Sequence, residues 1–235
     1  MAEKTTRLVC IAIDGPAGAG KSTVAREVAK SLGYTYIDTG AMYRALTFEA
    51  LKAGLDSGNT PAIVSLARSL DIALKPGPDG SVRVLINGTD VTREIRSPGV
   101  NRMVSPVAAI PEVRVIMVEK QRAMARAGGT VMEGRDITTV VLPDAEVKVF
   151  LDATAEERAR RRARELRSSG YNVSLDETLE EIRNRDRIDS QRACSPLTKC
   201  EDATVIDTTG MPVERVVRRV VELARKAQER QCTTT

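Results

Sequence analysis

Residues Gly15-Pro16-Ala17-Gly18-Ala19-Gly20-Lys21-Ser22 set a glycine-rich turn between an apolar run, Leu8–Ile13, and a helical pattern, Ser22–Leu32. The spacing is G-x-x-x-x-G-K-[ST], and a strand in front with a helix behind is the context a phosphate-binding loop requires. Glycines are needed because the backbone must wrap round phosphate oxygens and aim its N–H groups inward, which a Cβ would block. The anion then meets a helix N-terminus, where free N–H groups and the macrodipole favour negative charge. Lys21 is placed to reach the β- and γ-phosphates of a nucleotide, and the Ser22 hydroxyl to ligate Mg2+. The competing reading is a glycine turn that binds nothing. A dinucleotide loop is weaker still, because G-x-G-x-x-G is not met from Gly15, Gly18 or Gly20.

The rest of the chain continues the rhythm. Apolar runs at Tyr34–Ile37, Thr130–Met132, Val147–Leu151 and Thr204–Ile206 alternate with helical patterns at Ala41–Ala53, Pro61–Ser69, Glu112–Ala125, Ala155–Arg167, Leu175–Asp189 and Val213–Glu229. The alternation predicts an α/β fold, a parallel sheet with covering helices. Thr154 with Glu157 and Ser174 with Glu177 read as capping boxes, and Gly33 as the left-handed residue that closes the first helix. One segment, Asp71–Ile95, breaks the pattern. It reads as strands Asp71–Leu74 and Val82–Ile86 about the turn Pro76-Gly77-Pro78-Asp79-Gly80, followed by Asn87-Gly88, the strongest short hairpin signal. A small antiparallel insert is expected there. The ends, Met1–Thr6 and Gln231–Thr235, are expected to fray.

Composition narrows the chemistry. The chain has 36 Lys and Arg against 32 Asp and Glu, and no histidine, so catalysis must do without the commonest general base at neutral pH. There is no Trp, and only two Phe and four Tyr stand ready to stack on bases. The positive charge therefore points to a phosphorylated small molecule rather than nucleic acid. No apolar stretch approaches the ~18 residues that span a membrane, and Met1-Ala2-Glu3-Lys4 lacks the apolar run of a secretory signal. Four scattered cysteines, Cys10, Cys194, Cys200 and Cys232, form no Cys-x-x-Cys pair and complete no zinc site. A cytoplasmic protein with reduced thiols is expected.

Several short constellations bear charge where ligands gather. Asp38-Thr39-Gly40-Ala41-Met42-Tyr43-Arg44 follows the second strand, and in parallel sheets ligands bind beyond the carboxyl ends of strands. The same residues also suit a plain helix start with an Asp or Thr cap. Glu133-Gly134-Arg135-Asp136 follows the strand at Thr130–Met132; its opposite charges either pair with each other or meet a ligand. Arg185, Asp189 and Arg192 project from one face if the helix persists, either as ribose and phosphate contacts or as a solvated salt-bridge face. Six arginines, at 158, 160, 161, 162, 164 and 167, crowd one helix beside Glu156, Glu157 and Glu165. That run is either a solvated face or the seat of a polyanion. Asp152, ending an apolar run, is a weak candidate for orienting magnesium, as is Asp38. Together, a donor-phosphate loop and three arginine-bearing turns suggest a site for two phosphorylated ligands. A nucleoside monophosphate, with a second pKa of about 6, is largely anionic at neutral pH. It can attack a γ-phosphoryl group unaided by a base, with positioning and charge neutralisation supplying the catalysis.

Taken in order, Asp14–Thr23, Asp38–Arg44, Gly134-Arg135-Asp136, Phe150-Leu151-Asp152-Ala153 and Arg192-Ala193 resemble the bacterial cytidylate kinase family, from about Leu8 to Leu223. The resemblance implies a nucleoside monophosphate kinase of the P-loop class that transfers phosphoryl from ATP to CMP or dCMP in pyrimidine nucleotide metabolism. It implies ATP on Gly15, Pro16, Ala17, Gly18, Ala19, Gly20, Lys21, Ser22 and Thr23, with Ser22 the Mg2+ ligand. On the acceptor side it implies Arg44, Arg135 and Arg192 on the CMP phosphate, and Ser105, Arg114 and Asp136 on the cytosine edge. Arg185 with Asp189 would contact the ribose, and Thr39 and Tyr43 would line the pocket. Lys21, Arg135, Arg161, Arg162 and Arg192 would be the catalytic cations, with Arg161 and Arg162 closing from a lid. The implied organisation is one chain with a P-loop core over 7–40 and 100–230, a monophosphate-binding region over 41–99 with the insert at 71–95, and a lid at 158–176. A monomer is expected, with no membrane partner. This chain has Thr39 where some members carry Ser, Glu133 where some carry Asp, and Ile188 and Ser190 where charges are expected. The rival reading is a P-loop switch or binding module without a small-molecule acceptor. Asp207-Thr208-Thr209-Gly210 fits D-x-x-G, but no N-K-x-D follows it.

Overall fold

The computed structural model describes residues 8–77, 81–168 and 170–233, the last three without their side chains. Met1–Thr6, the turn residues Pro78-Asp79-Gly80, Thr234–Thr235 and the Cys232 thiol lie outside the described residues. In chain order the elements are β1 (Cys10–Asp14), α1 (Lys21–Leu32), β2 (Thr35–Asp38), α2 (Thr39–Lys52), α3 (Thr60–Ser69), β3 (Ile72–Pro76), β4 (Val82–Ile86) and β5 (Thr89–Asp90). There follow α4 (Pro98–Ala108), α5 (Pro111–Ala125), β6 (Thr130–Gly134), β7 (Val147–Asp152), α6 (Ala155–Ser168), α7 (Leu175–Gln191), β8 (Thr204–Asp207) and α8 (Val213–Thr233).

Five strands form one parallel sheet in the order β2-β6-β1-β7-β8. Successive side chains of a strand face opposite sides, and β1 shows the consequence. Ile11 and Ile13 pack with Val24 and Val28 of α1 and Val216 and Val220 of α8. Ala12 turns to the other face, with Met132 and with Val118 of α5. Both faces are covered, which is why these strands read as continuous apolar runs. The fold class expected from the alternation is the one observed.

The insert forms as a second sheet, β3-β4-β5, antiparallel throughout. Asn87 and Gly88 both adopt positive φ, 50° and 83°, as a two-residue hairpin turn demands, and Ile86 pairs with Thr89 across it. Val84 and Ile86 join a core with Met42 and Leu46 of α2, Ile63 of α3 and Val104 of α4.

Three local expectations need correction. Helix α4 was not among the helices expected, its segment carrying Pro98, Gly99 and Pro106. Pro98 in fact stands at the helix start, where a missing N–H costs nothing, and Val100, Val104 and Val107 bury one face. The Ser174–Glu177 capping box is complete, but the Thr154–Glu157 box is half made. The Glu157 N–H donates to Thr154 Oγ1 at 3.3 Å, while the Glu157 carboxylate turns to Arg160 and Arg161. Helix α8 also runs on to Thr233, past its expected end at Glu229 and into the segment expected to fray. Gly33 closes α1 with φ 69°, its N–H bonded to the Ala29 carbonyl, as anticipated.

Candidate functional site

The loop between β1 and α1 lies at the carboxyl edge of the sheet. Gly15 has φ 150°, and a Cβ there would come within 2.0 Å of the Leu151 carbonyl oxygen on β7. Gly20 caps α1 in the left-handed region. Lys21 is buried and folds back so that Nζ donates to the Pro16 carbonyl at 2.8 Å. Burial, with the Arg135 guanidinium nearby, pulls its ammonium down to about 7.

Asp14, the last residue of β1, is fully buried. It accepts from the Ile137 N–H at 2.9 Å, the Thr138 N–H at 2.7 Å and the Thr138 hydroxyl at 2.6 Å. One carboxylate thus anchors the wide helical turn Ile137–Val141 and, with it, the Gly134-Arg135-Asp136 segment that leaves β6. Thr39 ties the second strand to the same place, its hydroxyl donating to the Glu133 carbonyl at 2.6 Å. Asp38 caps α2 by accepting from the Ala41 N–H at 2.9 Å, so the cap reading of that segment is correct and Tyr43 and Arg44 still face the site.

A cleft of about 990 Å³ runs past this edge. Ala17 through Thr23 line one end; Arg44, Ser105, Arg135 and Arg185 line the other; Arg161 and Arg162 reach in from α6. A smaller recess of about 50 Å³ continues from it, walled by Thr39, Tyr43, Arg114, Asp136, Asp189 and Arg192, and sharing Ser105, Arg135 and Arg185 with the cleft. The residues expected to bind an acceptor are therefore gathered in one continuous depression, though they come from four separate helices and the turn after β6. Of the expected donor residues, Gly15 is walled by Leu151 and Pro16 offers its carbonyl to Lys21.

The alternatives left open by the charge patterns resolve into a network. Arg135 and Asp136 do not pair with each other. Arg135 Nε donates to Asp189 Oδ2 at 2.8 Å, and Asp189 also lies 3.8 Å from Arg185. Asp136 is gripped by Arg114, and Arg192 lies 3.5 Å from its other oxygen. Arg114 sits 5.6 Å from the centre of the Tyr43 ring. Its Nε is buried with no hydrogen-bond partner among the described residues. Arg192 ends α7, with Nε donating to the Ser195 carbonyl at 2.6 Å.

Cations outnumber the carboxylates near the cleft, and their basicity registers it. Burial, then Arg185 and Arg162, draws Arg44 down to about 9, and burial with Arg135 draws Arg185 down to about 10. On the acidic side, burial and the neighbouring Asp38 raise Glu133, which accepts from the Tyr36 hydroxyl at 2.7 Å. Asp38 and Glu133 line the cleft close to Ser22. Asp152, the other carboxylate considered for magnesium, instead lies 3.1 Å from Lys199 and is not part of the cleft wall.

The arginine-rich helix is largely partnered rather than simply solvated. Arg160 and Arg161 meet Glu157, and Arg162 meets Glu165. Arg161 also donates to the Thr208 hydroxyl and carbonyl, at 3.0 and 2.6 Å. Three residues had no role expected from the sequence, and a fourth, Arg158, was placed only in the arginine run and the lid. Asp14 holds the turn after β6. Arg96, 3.8 Å from Asp38, and Asn101, which accepts from Arg44, both flank the acceptor end. Arg158 is buried against the glycine loop. A charged residue at the end of an apolar strand was the available signal for Asp14; Arg96 and Asn101 lay in and beside the unrecognised α4.

Known proteins resemble this chain over most of its length. A model of the cytidylate kinase family matches residues 11–226. The cytidylate kinase of Pelotomaculum thermopropionicum is 56% identical over 211 residues, covering 90% of this chain and 93% of that one. That of Geobacillus kaustophilus is 55% identical over 217 residues, covering 92% and 96%. Among solved structures, an uncharacterized protein from Eubacterium ventriosum aligns over 92% of this chain and 98% of its own with a TM-score of 0.51 and 12% identity, a likeness of fold alone. A match of this extent, over a cleft joining a phosphate loop to an arginine-lined recess, establishes that the chain belongs to the cytidylate kinase family.

Proposed function

We propose that the chain transfers the γ-phosphoryl group of ATP to CMP or dCMP, giving ADP and CDP or dCDP. The observation that carries the reading is the set of under-neutralised cations, Lys21, Arg44 and Arg185, that share one cleft with a glycine loop. Such a site is built for anions, since bound phosphate relieves the repulsion among buried positive groups.

In this reading the backbone N–H groups of Gly15 and Ala17–Thr23, together with Lys21, hold the donor phosphates, and Pro16, which has no N–H, shapes the loop. The Ser22 hydroxyl, exposed at the head of α1 with Asp38 and Glu133 close by, suits Mg2+, which when bound neutralises charge on the β- and γ-oxygens. Arg44, Arg135 and Arg192 seat the acceptor phosphate, Arg185 and Asp189 the ribose. Asp136 accepts from the cytosine amino group, and the free Arg114 Nε offers a donor for the base's acceptor face. Thr39 and Tyr43 close the recess. Arg161 and Arg162 complete the charge around the transferring group, with residues 158–176 as the lid and 41–99 as the acceptor-binding region. No step calls for a general base, because the attacking phosphate oxygen is already charged. No described helix is long and apolar enough to cross a membrane, and we read the chain as a cytoplasmic monomer.

The test is an acceptor panel with ATP and Mg2+, read as ADP formation. CMP and dCMP should exceed UMP and AMP in kcat/KM. A chain that prefers UMP, AMP or shikimate refutes the cytosine-edge assignments. Saturation with ATP and no acceptor at all would favour the nucleotide-dependent switch.

A further inference from the structure

Arg158 is the one arginine of α6 that is deeply buried, with 6% of its surface exposed. It lies in the first turn of the helix, and its side chain folds back toward the sheet edge. Nε donates to the Ala153 carbonyl at 2.9 Å, and NH1 donates to the Ala17 carbonyl at 3.1 Å. The same NH1 lies 2.7 Å from Asp186 Oδ2 on α7. The Arg158 backbone and Cβ also wall off Gly18, where an added Cβ would come within 2.9 Å of the Arg158 Cβ. The other Asp186 oxygen is buried and finds no hydrogen bond among the described residues.

One guanidinium therefore joins the crest of the donor loop to the helix that carries Arg185 and Asp189, each within three residues of Asp186. We infer that Arg158 and Asp186 are positioning residues that couple the donor-phosphate loop to the acceptor-binding helix, so that filling one site favours filling the other. The inference rests on the proposed function, since it takes the loop as the donor seat and α7 as part of the acceptor seat. The physical basis is that both partners are costly to bury alone and are held only while the loop crest and α7 keep their spacing. Arg158 is thereby distinct from Arg161 and Arg162, which line the cleft itself.

The coupling is a factor α by which one ligand changes the affinity of the other, and it is reciprocal. Calorimetry with a non-hydrolysable ATP analogue and CMP, each titrated alone and in the presence of the other, measures it on the full chain. Arg158→Lys keeps charge but loses the bridging geometry; Asp186→Asn keeps shape but loses charge. We expect each to move α at least fivefold toward one while the affinity for CMP alone changes less than twofold, and the double variant to be no worse than the poorer single one, as for partners in one interaction. Folded variants, checked by thermal melts, that retain the wild-type α overturn the proposal, as does a wild-type α of one. If the acceptor panel finds another nucleoside monophosphate, that monophosphate replaces CMP and the coupling stands or falls on its own. A wild type with no acceptor refutes the proposed function and the coupling with it.

Discussion

Asp136→Asn separates the structural from the recognition role of one carboxylate. Asp136 is 4% exposed and stands between Arg114 and Arg192, so its loss leaves two buried guanidiniums without their shared counter-charge. At the 3.5 Å separation from Arg192, an effective dielectric of about 20 gives an attraction of about 5 kcal/mol as an upper bound. Breaking a buried pair by removing one partner costs about 3–5 kcal/mol. For a chain of this size each kcal/mol lowers Tm by about 2–4 °C, so a fall of roughly 6–20 °C is expected by thermal melt. On the acceptor side, a hydrogen bond from the cytosine amino group to a charged acceptor is worth about 1.5–3 kcal/mol. The kcat/KM for CMP should therefore fall by roughly 10- to 150-fold. An asparagine can turn its amide N–H toward the uracil carbonyl, so UMP should lose less and the CMP:UMP ratio should collapse. A variant that melts earlier but keeps the wild-type ratio makes Asp136 a counter-ion only, and refutes its place on the base. An unchanged Tm refutes the buried-pair argument itself.

Two further outcomes follow from the donor end. Gly15→Ala places a Cβ 2.0 Å from the Leu151 carbonyl at a backbone angle that side chains rarely adopt, so β1 and β7 must part or the loop must move. ATP affinity should fall by at least tenfold with a clear loss of Tm; an alanine variant that binds ATP normally would show that the loop has slack. Lys21, held near 7 in the free chain against an ordinary value of 10.5, is mostly neutral at pH 8, and the donor's phosphates should restore its charge. Nucleotide binding at pH 8 should then take up close to one proton, and at pH 6 almost none from this group. The same depression means that unfolding takes up a proton between about pH 7 and 10.5, so Lys21 makes free-chain stability rise with pH across that window. Calorimetry in buffers of different ionisation enthalpy reads the uptake, and heats independent of buffer at pH 8 would contradict it.

What could be read from the residues was what local rules govern. The loop from Gly15 to Ser22 has few conformations open to it once a strand precedes and a helix follows, so its shape and its charge preference are fixed by adjacent residues. The Asn87-Gly88 hairpin was legible for the same reason, since positive φ at two successive positions selects those residue types. Helix α4 was not legible, because Gly99 and Pro106 weaken a propensity that burial of Val100, Val104 and Val107 then restores. The acceptor residues were named through resemblance rather than spacing. Nothing local distinguishes Arg135 paired to its neighbour from Arg135 paired to Asp189, which lies 54 positions away.

The sequence by itself therefore determined a parallel α/β sheet, a phosphate loop at its carboxyl edge and a chemistry without histidine. These follow from periodicity, backbone sterics and composition, all of short range. Only the tertiary structure decided which charges meet. It set Asp136 between Arg114 and Arg192, gave Arg135 to Asp189, left Arg44 and Lys21 short of neutralising partners, and joined Arg158 to both the Ala17 carbonyl and Asp186. Pairing of buried charges depends on distances between segments far apart in the chain, and folding fixes those distances by packing the sheet and the helices around it.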